Sequence, residues 1–91
     1  MNTLITHVKS SPDTLFQELS GEAVLLNLKT ERYYGLDEVG MRMYQLLVEN
    51  GNPELAVEKL LSEYEVDENT LRKDLTNLIT QLNEQGLIII K

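Results

Sequence analysis

Few side chains in this sequence have the type and spacing that catalysis requires. The 91 residues include a single histidine, His7, and no cysteine, which removes thiol chemistry and the usual ligands of a zinc site. Acidic pairs stand at Asp37-Glu38 and Asp67-Glu68, but each begins a helical pattern, where capping and the helix dipole explain it. No glycine-rich phosphate loop and no G-x-S-x-G or H-E-x-x-H motif occurs. The sequence predicts a protein that is not an enzyme and holds no metal or cofactor.

The residues best suited to binding are Tyr33, Tyr34 and Gly35, which fall within a predicted strand at residues 32–36. If this strand lies at the edge of a sheet, its unpaired N–H and C=O groups can accept an extended peptide as a further strand. Neighbouring side chains point to opposite faces, so we expect one tyrosine in the core and the other beside a groove. From composition alone a plain structural role is slightly favoured for the tyrosines, as good strand formers, and Gly35 can likewise simply ease the corner before the next helix.

The elements that position this strand follow from hydrophobic alternation and turn residues. Residues 14–19 and 22–28 alternate as two strands, and Ser20-Gly21 between them predicts a tight turn. Residues 32–36 then return as the third strand. In this order the first and third strands form the edges of a three-stranded antiparallel meander.

Three helices follow, and each has its own start signal. Asp37, Asn52 and Asp67 are of the N-cap type, and Gly51 is suited to end the first helix. The third helix covers about residues 68–85 and carries an apolar stripe at i, i+4 and i+7: Leu71, Leu75 and Leu78. The predicted fold is α+β and winged helix-turn-helix-like, with a three-stranded antiparallel β-meander followed by three α-helices.

Length and composition favour one domain over residues 1–91, with a loosely structured segment at about 1–13. Residues 87–90 are an apolar tail, suited to a short strand or a core plug. No apolar run approaches the roughly 20 residues of a membrane span, and no signal peptide is evident, so we expect a cytoplasmic protein without membrane contact. An edge strand or the tail also makes a homodimer possible.

The net charge of −7 bears on the choice of partner. Acidity spread over the chain repels nucleic acid and attracts a neutral or basic peptide. A winged helix commonly reads DNA with its last helix, but here that helix offers the adjacent Arg72 and Lys73 among acidic residues. A winged-helix transcription factor is therefore the alternative to a peptide-binding protein, and a structural subunit of a larger complex is a third reading.

The order of short motifs resembles that of the PqqD-like family. The matching segments lie between Ser11 and Ile90 and include Leu25-Leu26-Asn27-Leu28, Tyr33-Tyr34-Gly35-Leu36, Asp37-Glu38-Val39-Gly40, Tyr64-Glu65-Val66-Asp67 and Asp74-Leu75. Two positions depart from the usual pattern. Tyr44 stands where many relatives carry Trp or another large aromatic residue, and Glu31 replaces a common turn glycine.

The resemblance implies a recognition element for ribosomally made, post-translationally modified peptides, which binds the leader segment of a precursor and presents its core to modifying enzymes. Free-standing versions in lasso-peptide clusters, which work with a leader protease and a cyclase, look most similar. Versions that serve radical-SAM enzymes, including the pyrroloquinoline quinone pathway, are also similar. The leader is expected to add to the third strand and pack on the third helix, where Asp74 is either a surface acid or an anchor for a cationic or amide group. The predicted peptide-binding residues are Arg32, Tyr33, Tyr34, Gly35, Leu36, Leu71, Asp74, Leu75 and Leu78.

Overall fold

A computed structural model describes residues 7–91, which form two small sheets and three helices. The strands are β1 (Val8–Ser10), β2 (Thr14–Leu19), β3 (Glu22–Asn27), β4 (Tyr33–Leu36) and β5 (Ile88–Ile90). The helices, which lie between β4 and β5 in the chain, are α1 (Glu38–Asn50), α2 (Pro53–Glu63) and α3 (Glu68–Glu84).

The predicted meander is confirmed as an antiparallel sheet in the order β2-β3-β4. Ser20 and Gly21 both have positive φ, 52° and 84°, which is the backbone of a two-residue hairpin whose twist matches its strands. The second and third predicted strands are each shorter by one residue. β3 ends at Asn27, and β4 begins at Tyr33, so Arg32 lies just before β4 while its carbonyl still accepts from the Asn27 N–H at 2.8 Å.

All three helices begin at the predicted caps. A carboxylate oxygen of Asp37 accepts from the Gly40 N–H, and Asp67 does the same for Thr70, so each satisfies an amide that the first turn leaves without a partner. Asn52 caps α2 with Pro53 as the first helical residue. Gly51 ends α1 with a left-handed backbone, φ 77°, as its residue type predicts.

The second sheet joins the two ends of the described chain. β1 pairs antiparallel with β5, with Val8 opposite Ile90 and Ser10 opposite Ile88. Residues 7–13 therefore differ from the loosely structured segment expected there, because the Val8 side chain is fully buried in the core. Residues 1–6 lie outside the described part. The tail combines both options left open for it, since Ile88–Ile90 is a strand and its Ile88 is buried.

The core lies between the inner face of the meander and the helices. Leu25 and Leu36 point inward onto α1, and the leucine stripe of α3 covers the same core from the other side. Tyr44 occupies the large aromatic position of α1: its ring stacks on Phe16 with centroids 5.6 Å apart, and its hydroxyl donates to Ser10. Although Tyr44 is smaller than Trp, its ring is buried and its hydroxyl has a hydrogen-bond partner.

Candidate functional site

β4 is an edge strand of the meander, because only β3 pairs with it among the described residues. In an antiparallel ladder, hydrogen-bonded and non-bonded pairs alternate. Since Asn27 bonds to Arg32 at the start of the ladder, Tyr34 and Leu36 direct their backbone groups toward β3. The N–H and C=O groups of Tyr33 and Gly35 consequently point to the outer edge.

A groove of about 440 Å³ runs between β4, the start of α1 and α3. Met43 and Leu78 are buried and form an apolar floor, while Asp37 and Asp74 place carboxylates at the rim. The Tyr34 hydroxyl donates to Oε1 of Gln81 and so connects the strand wall to the helix wall. No lysine or arginine is among the lining residues. The groove therefore has an apolar floor and an acidic rim, with no basic side chain to offset the carboxylates.

The predicted site residues take three kinds of position. Those that line the groove are Tyr34, Asp74 and Leu78. Those that are exposed on or beside the edge strand are Arg32, Tyr33 and Gly35. Those whose side chains are buried in the core beneath the two walls are Leu36, Leu71 and Leu75.

The expectation of one tyrosine in the core and the other beside a groove is met only in part, because Tyr34 both packs against the core and lines the groove. Tyr34 is half-buried beside the groove, and Tyr33 is 75% exposed on the opposite face of the sheet, in register with Leu26. The reason is that no described element covers this outer face, on which Leu15 and Leu19 are also exposed.

The structure adds lining residues that the sequence reasoning did not assign to a site: Asp37, Val39, Gly40, Met43, Asn77 and Gln81. The sequence contains a signal for two of these residues, Asn77 and Gln81. Asp74, Asn77, Leu78 and Gln81 are spaced i, i+3, i+4 and i+7, so a helix places them on one face. The uncharged Asn77 and Gln81 looked like an ordinary solvated face because no partner element was known to run beside them.

The cations that a DNA reader would need are partly engaged within the chain. Arg72 donates to both carboxylate oxygens of Glu54, at 2.8 and 3.0 Å, and to Glu68 at 2.9 Å. These hydrogen bonds hold the pKa of the Glu54 carboxyl below its usual value. Phosphate binding by Arg72 would require these ion pairs to be broken, which weakens the DNA-binding alternative.

The acidic pairs at the helix starts also have structural partners, since Asp37 and Asp67 are caps and Glu68 accepts from Arg72. Across residues 7–91 no group of three or more His, Cys, Asp or Glu side chains is arranged to hold a metal ion. Within that same range, no helix is both long and apolar enough to cross a membrane.

Comparison with known proteins defines the class to which this fold and edge-strand groove belong. The sequence profile of the family described as coenzyme PQQ synthesis protein D (PqqD) matches residues 22–88, and the chain belongs to this family. Searching the curated proteins gave no match.

Two solved structures are similar over nearly the whole chain. One is described as TbiB1 in complex with the TbiA(beta) leader peptide, with a TM-score of 0.81, 38% identity and coverage of 88% of this chain and 93% of that chain. The other is described as lasso peptide synthetase B1 complexed with the leader peptide, with a TM-score of 0.82, 25% identity and coverage of 92% and 99%. Both were solved with a leader peptide.

Proposed function

We propose that this protein is a non-catalytic adaptor that binds the leader segment of a ribosomally synthesised precursor peptide and presents it to modifying enzymes. The observation that carries the proposal is the exposed edge of β4 beside a groove with an apolar floor and an acidic rim. Two similar chains were solved with leader peptides, which supports the same class of ligand here. Because one of the two is described as a lasso peptide synthetase B1, the favoured enzyme partners are a leader protease and a cyclase, acting in the cytoplasm. A radical-SAM enzyme is the second choice.

The backbone supplies the first part of the binding. A peptide that adds antiparallel to β4 bonds to the outward N–H and C=O groups of Tyr33 and Gly35. These bonds depend little on the peptide's sequence. Gly35 has no atom within 4 Å of the position a Cβ would take, so nothing in the chain itself blocks a close approach at this residue.

Side chains of the groove supply selectivity. An apolar peptide side chain fits over Met43 and Leu78, and a cationic or amide group fits beside the Asp74 carboxylate at the rim. The net charge of −7 favours encounter with a neutral or basic leader. The remaining predicted residues contribute indirectly. The buried side chains of Leu36, Leu71 and Leu75 pack in the core and stabilise β4 and α3, the two walls of the groove.

A proline substitution on the edge strand tests this mode of binding. Gly35→Pro removes one outward N–H but leaves the bonds from β4 to β3, since edge strands tolerate proline where the amide faces outward. We expect it to weaken binding of a fluorescently labelled synthetic leader, taken from a precursor peptide identified in the neighbourhood of this gene, by about tenfold.

The matched control is Glu18→Pro on β2, the opposite edge of the same sheet, where the amide also points outward. This variant is expected to bind within about twofold of the unsubstituted protein, as a bond away from the groove is irrelevant to the leader. Equal affinity losses in the two folded variants, or none in Gly35→Pro, would contradict strand addition at β4.

A further inference from the structure

Asn27, the last residue of β3, connects the turn before β4 to the end of α3 through its buried side-chain amide. It is 5% exposed and is the one buried polar side chain in the described part of the chain. Its Oδ1 accepts from the N–H groups of Lys29 at 2.9 Å and Thr30 at 3.2 Å, in the turn that leads to β4. Its Nδ2 donates to the carbonyls of Gln85 at 2.9 Å and Gly86 at 3.5 Å, at the end of α3. One rigid amide therefore bonds to the turn through its oxygen and to the end of α3 through its nitrogen.

The end of α3 is shaped to receive this amide. The Leu87 N–H donates to the Leu82 carbonyl and the Gly86 N–H to that of Asn83, which is the Schellman pattern of a helix end. The Gln85 carbonyl takes no part in those two bonds and is directed to Asn27 instead. Gly86 has φ 70°, and a Cβ there would lie 3.1 Å from Nδ2, so the glycine permits both the turn and the close approach.

Among the described residues, two side-chain links join the meander to α3 and its cap, and Thr14 of β2 adds a third just beyond them by donating to the Leu87 carbonyl at 2.9 Å. The exposed link is the bond from Tyr34 to Gln81, where water competes with both partners. The buried link is Asn27, one helical turn further along α3, where the loss of a bond leaves polar groups without water.

We infer that Asn27 is a positioning residue for leader binding: its amide fixes the separation and register of β4 and α3, so that one extended peptide can meet the backbone edge and the helix wall together. This inference rests on the proposed function. Without the link, each wall keeps its own structure, but the peptide must bring the two walls into register on binding, which lowers its affinity.

The substitution Asn27→Asp tests the bonds to α3 separately from the bonds to the turn. A carboxylate still accepts from Lys29 and Thr30, so the turn keeps its bonds. Its second oxygen, however, faces the carbonyls of Gln85 and Gly86, where a donor is needed. At about pH 7 we expect the affinity for the same labelled leader to fall about tenfold. Toward about pH 5 protonation of this buried carboxyl restores an O–H donor, and the ratio of variant to unsubstituted affinity should recover.

Asn50→Asp is the matched control. The Asn50 Nδ2 donates to the Leu46 carbonyl at 3.0 Å, so the change introduces the same charge and removes the same type of bond at the end of α1, away from the groove. Its affinity is expected to stay within about twofold of the unsubstituted protein, without a pH-dependent recovery. Circular dichroism at each pH confirms that the compared proteins are folded.

A folded Asn27→Asp protein that binds within about twofold of the unsubstituted protein, or an affinity loss unaffected by pH, overturns the inference. If Gly35→Pro still weakens binding in that case, the proposed function stands and only the role of Asn27 is lost. If both variants bind normally, the proposed site itself is wrong. Should Asn27→Asp fail to fold, Gly86→Ala replaces it, because its Cβ would lie 3.1 Å from Nδ2 and press on the amide without removing it. An unchanged affinity for Gly86→Ala is then the contradicting result.

Discussion

Glu31 holds a left-handed backbone, φ 64°, in the turn between β3 and β4. For a residue with a Cβ this conformation costs roughly 1–2 kcal/mol, a cost that glycine avoids. The departure from the usual turn glycine is therefore accommodated, because the Glu31 N–H still closes the turn on the Asn27 carbonyl at 2.7 Å.

Replacing this residue by glycine is expected to stabilise the protein. Glu31→Gly should raise the free energy of unfolding by about 1 kcal/mol and the Tm by about 4–8 °C. Thermal unfolding followed by circular dichroism measures the change. Lys29→Gly is the control in the same turn, since Lys29 does not have positive φ and gains only chain entropy in the unfolded state. A Tm that rises equally in both variants would show that the left-handed backbone is not the cause.

At this scale the sequence reasoning identified residues with a local signal and missed those with a distant partner. Tyr34 and Asp74 were assigned to the site because a strand edge and a helix stripe have recognisable spacing. The role of Asn27 was not predicted, since its partner Gln85 is 58 positions away and no periodic pattern marks that pair. Met43 was not assigned to the site, and the structure shows that its buried side chain also forms part of the floor of the groove.

Among the elements, β1 depends on the end of α1. The Val8 N–H donates to the Gly51 carbonyl at 2.6 Å, and the His7 ring lies directly over Gly51. A Cβ at Gly51 would fall 2.2 Å from Cε1 of His7, so the exposed His7 ring would have to turn away to admit it. The first strand and the first helix thus meet at a residue whose positive φ, 77°, favours glycine.

Gly51→Ala is accordingly expected to destabilise the protein by at least about 1–2 kcal/mol, from the positive φ alone, with the contact to His7 adding to the loss. Chemical denaturation gives the free energy of unfolding. Adding His7→Ala to the Gly51→Ala protein should recover the part due to the contact, relative to His7→Ala alone. An identical loss from Gly51→Ala with and without the histidine ring would exclude that contact as a contributor.

The elements differ in how much of their formation is local. All three helices and the central hairpin were predicted, because caps, turn residues and apolar periodicity act over a few positions. β1 lies in the segment that was expected to be loosely structured. Its three residues form a strand only because β5 reaches it from the other end of the chain, and Val8 is buried by that pairing. Short strands of this kind have no pattern of their own.

For the whole molecule, bidentate ion pairs join the helices. Arg42 of α1 bonds to Glu63 of α2 at 2.8 and 2.6 Å, and Arg72 of α3 bonds to Glu54 of α2. Hydrogen bonds from the guanidinium groups lower the pKa of the Glu63 and Glu54 carboxyls. A carboxyl whose pKa is lower when folded stabilises the protein above its unfolded pKa, and this contribution is lost as the pH falls through the folded value.

Stability should therefore decrease as the pH is lowered below about 4.5, the ordinary value for these carboxyls. The double variant Glu54→Gln/Glu63→Gln is expected to be slightly less stable near neutral pH and to show a flatter decline in acid, because the two linked protonations are gone. Urea denaturation across the pH range measures both slopes. Because the pairs are largely exposed, the difference should be modest and should shrink in high salt. Parallel curves for the two proteins would contradict this account.

The direction of β4 has a consequence for the order of events on the proposed adaptor. β4 runs from the turn at Glu31 toward the cap of α1 at Asp37. A leader that adds antiparallel enters at the α1 end and leaves at the turn, so the core segment that follows it emerges beside Asn27 and the end of α3. The direction of β4 thus determines where a bound leader ends and where the core segment leaves the protein. An enzyme that acts on the core would find its substrate at that end of the molecule, tethered a short distance from a fixed point.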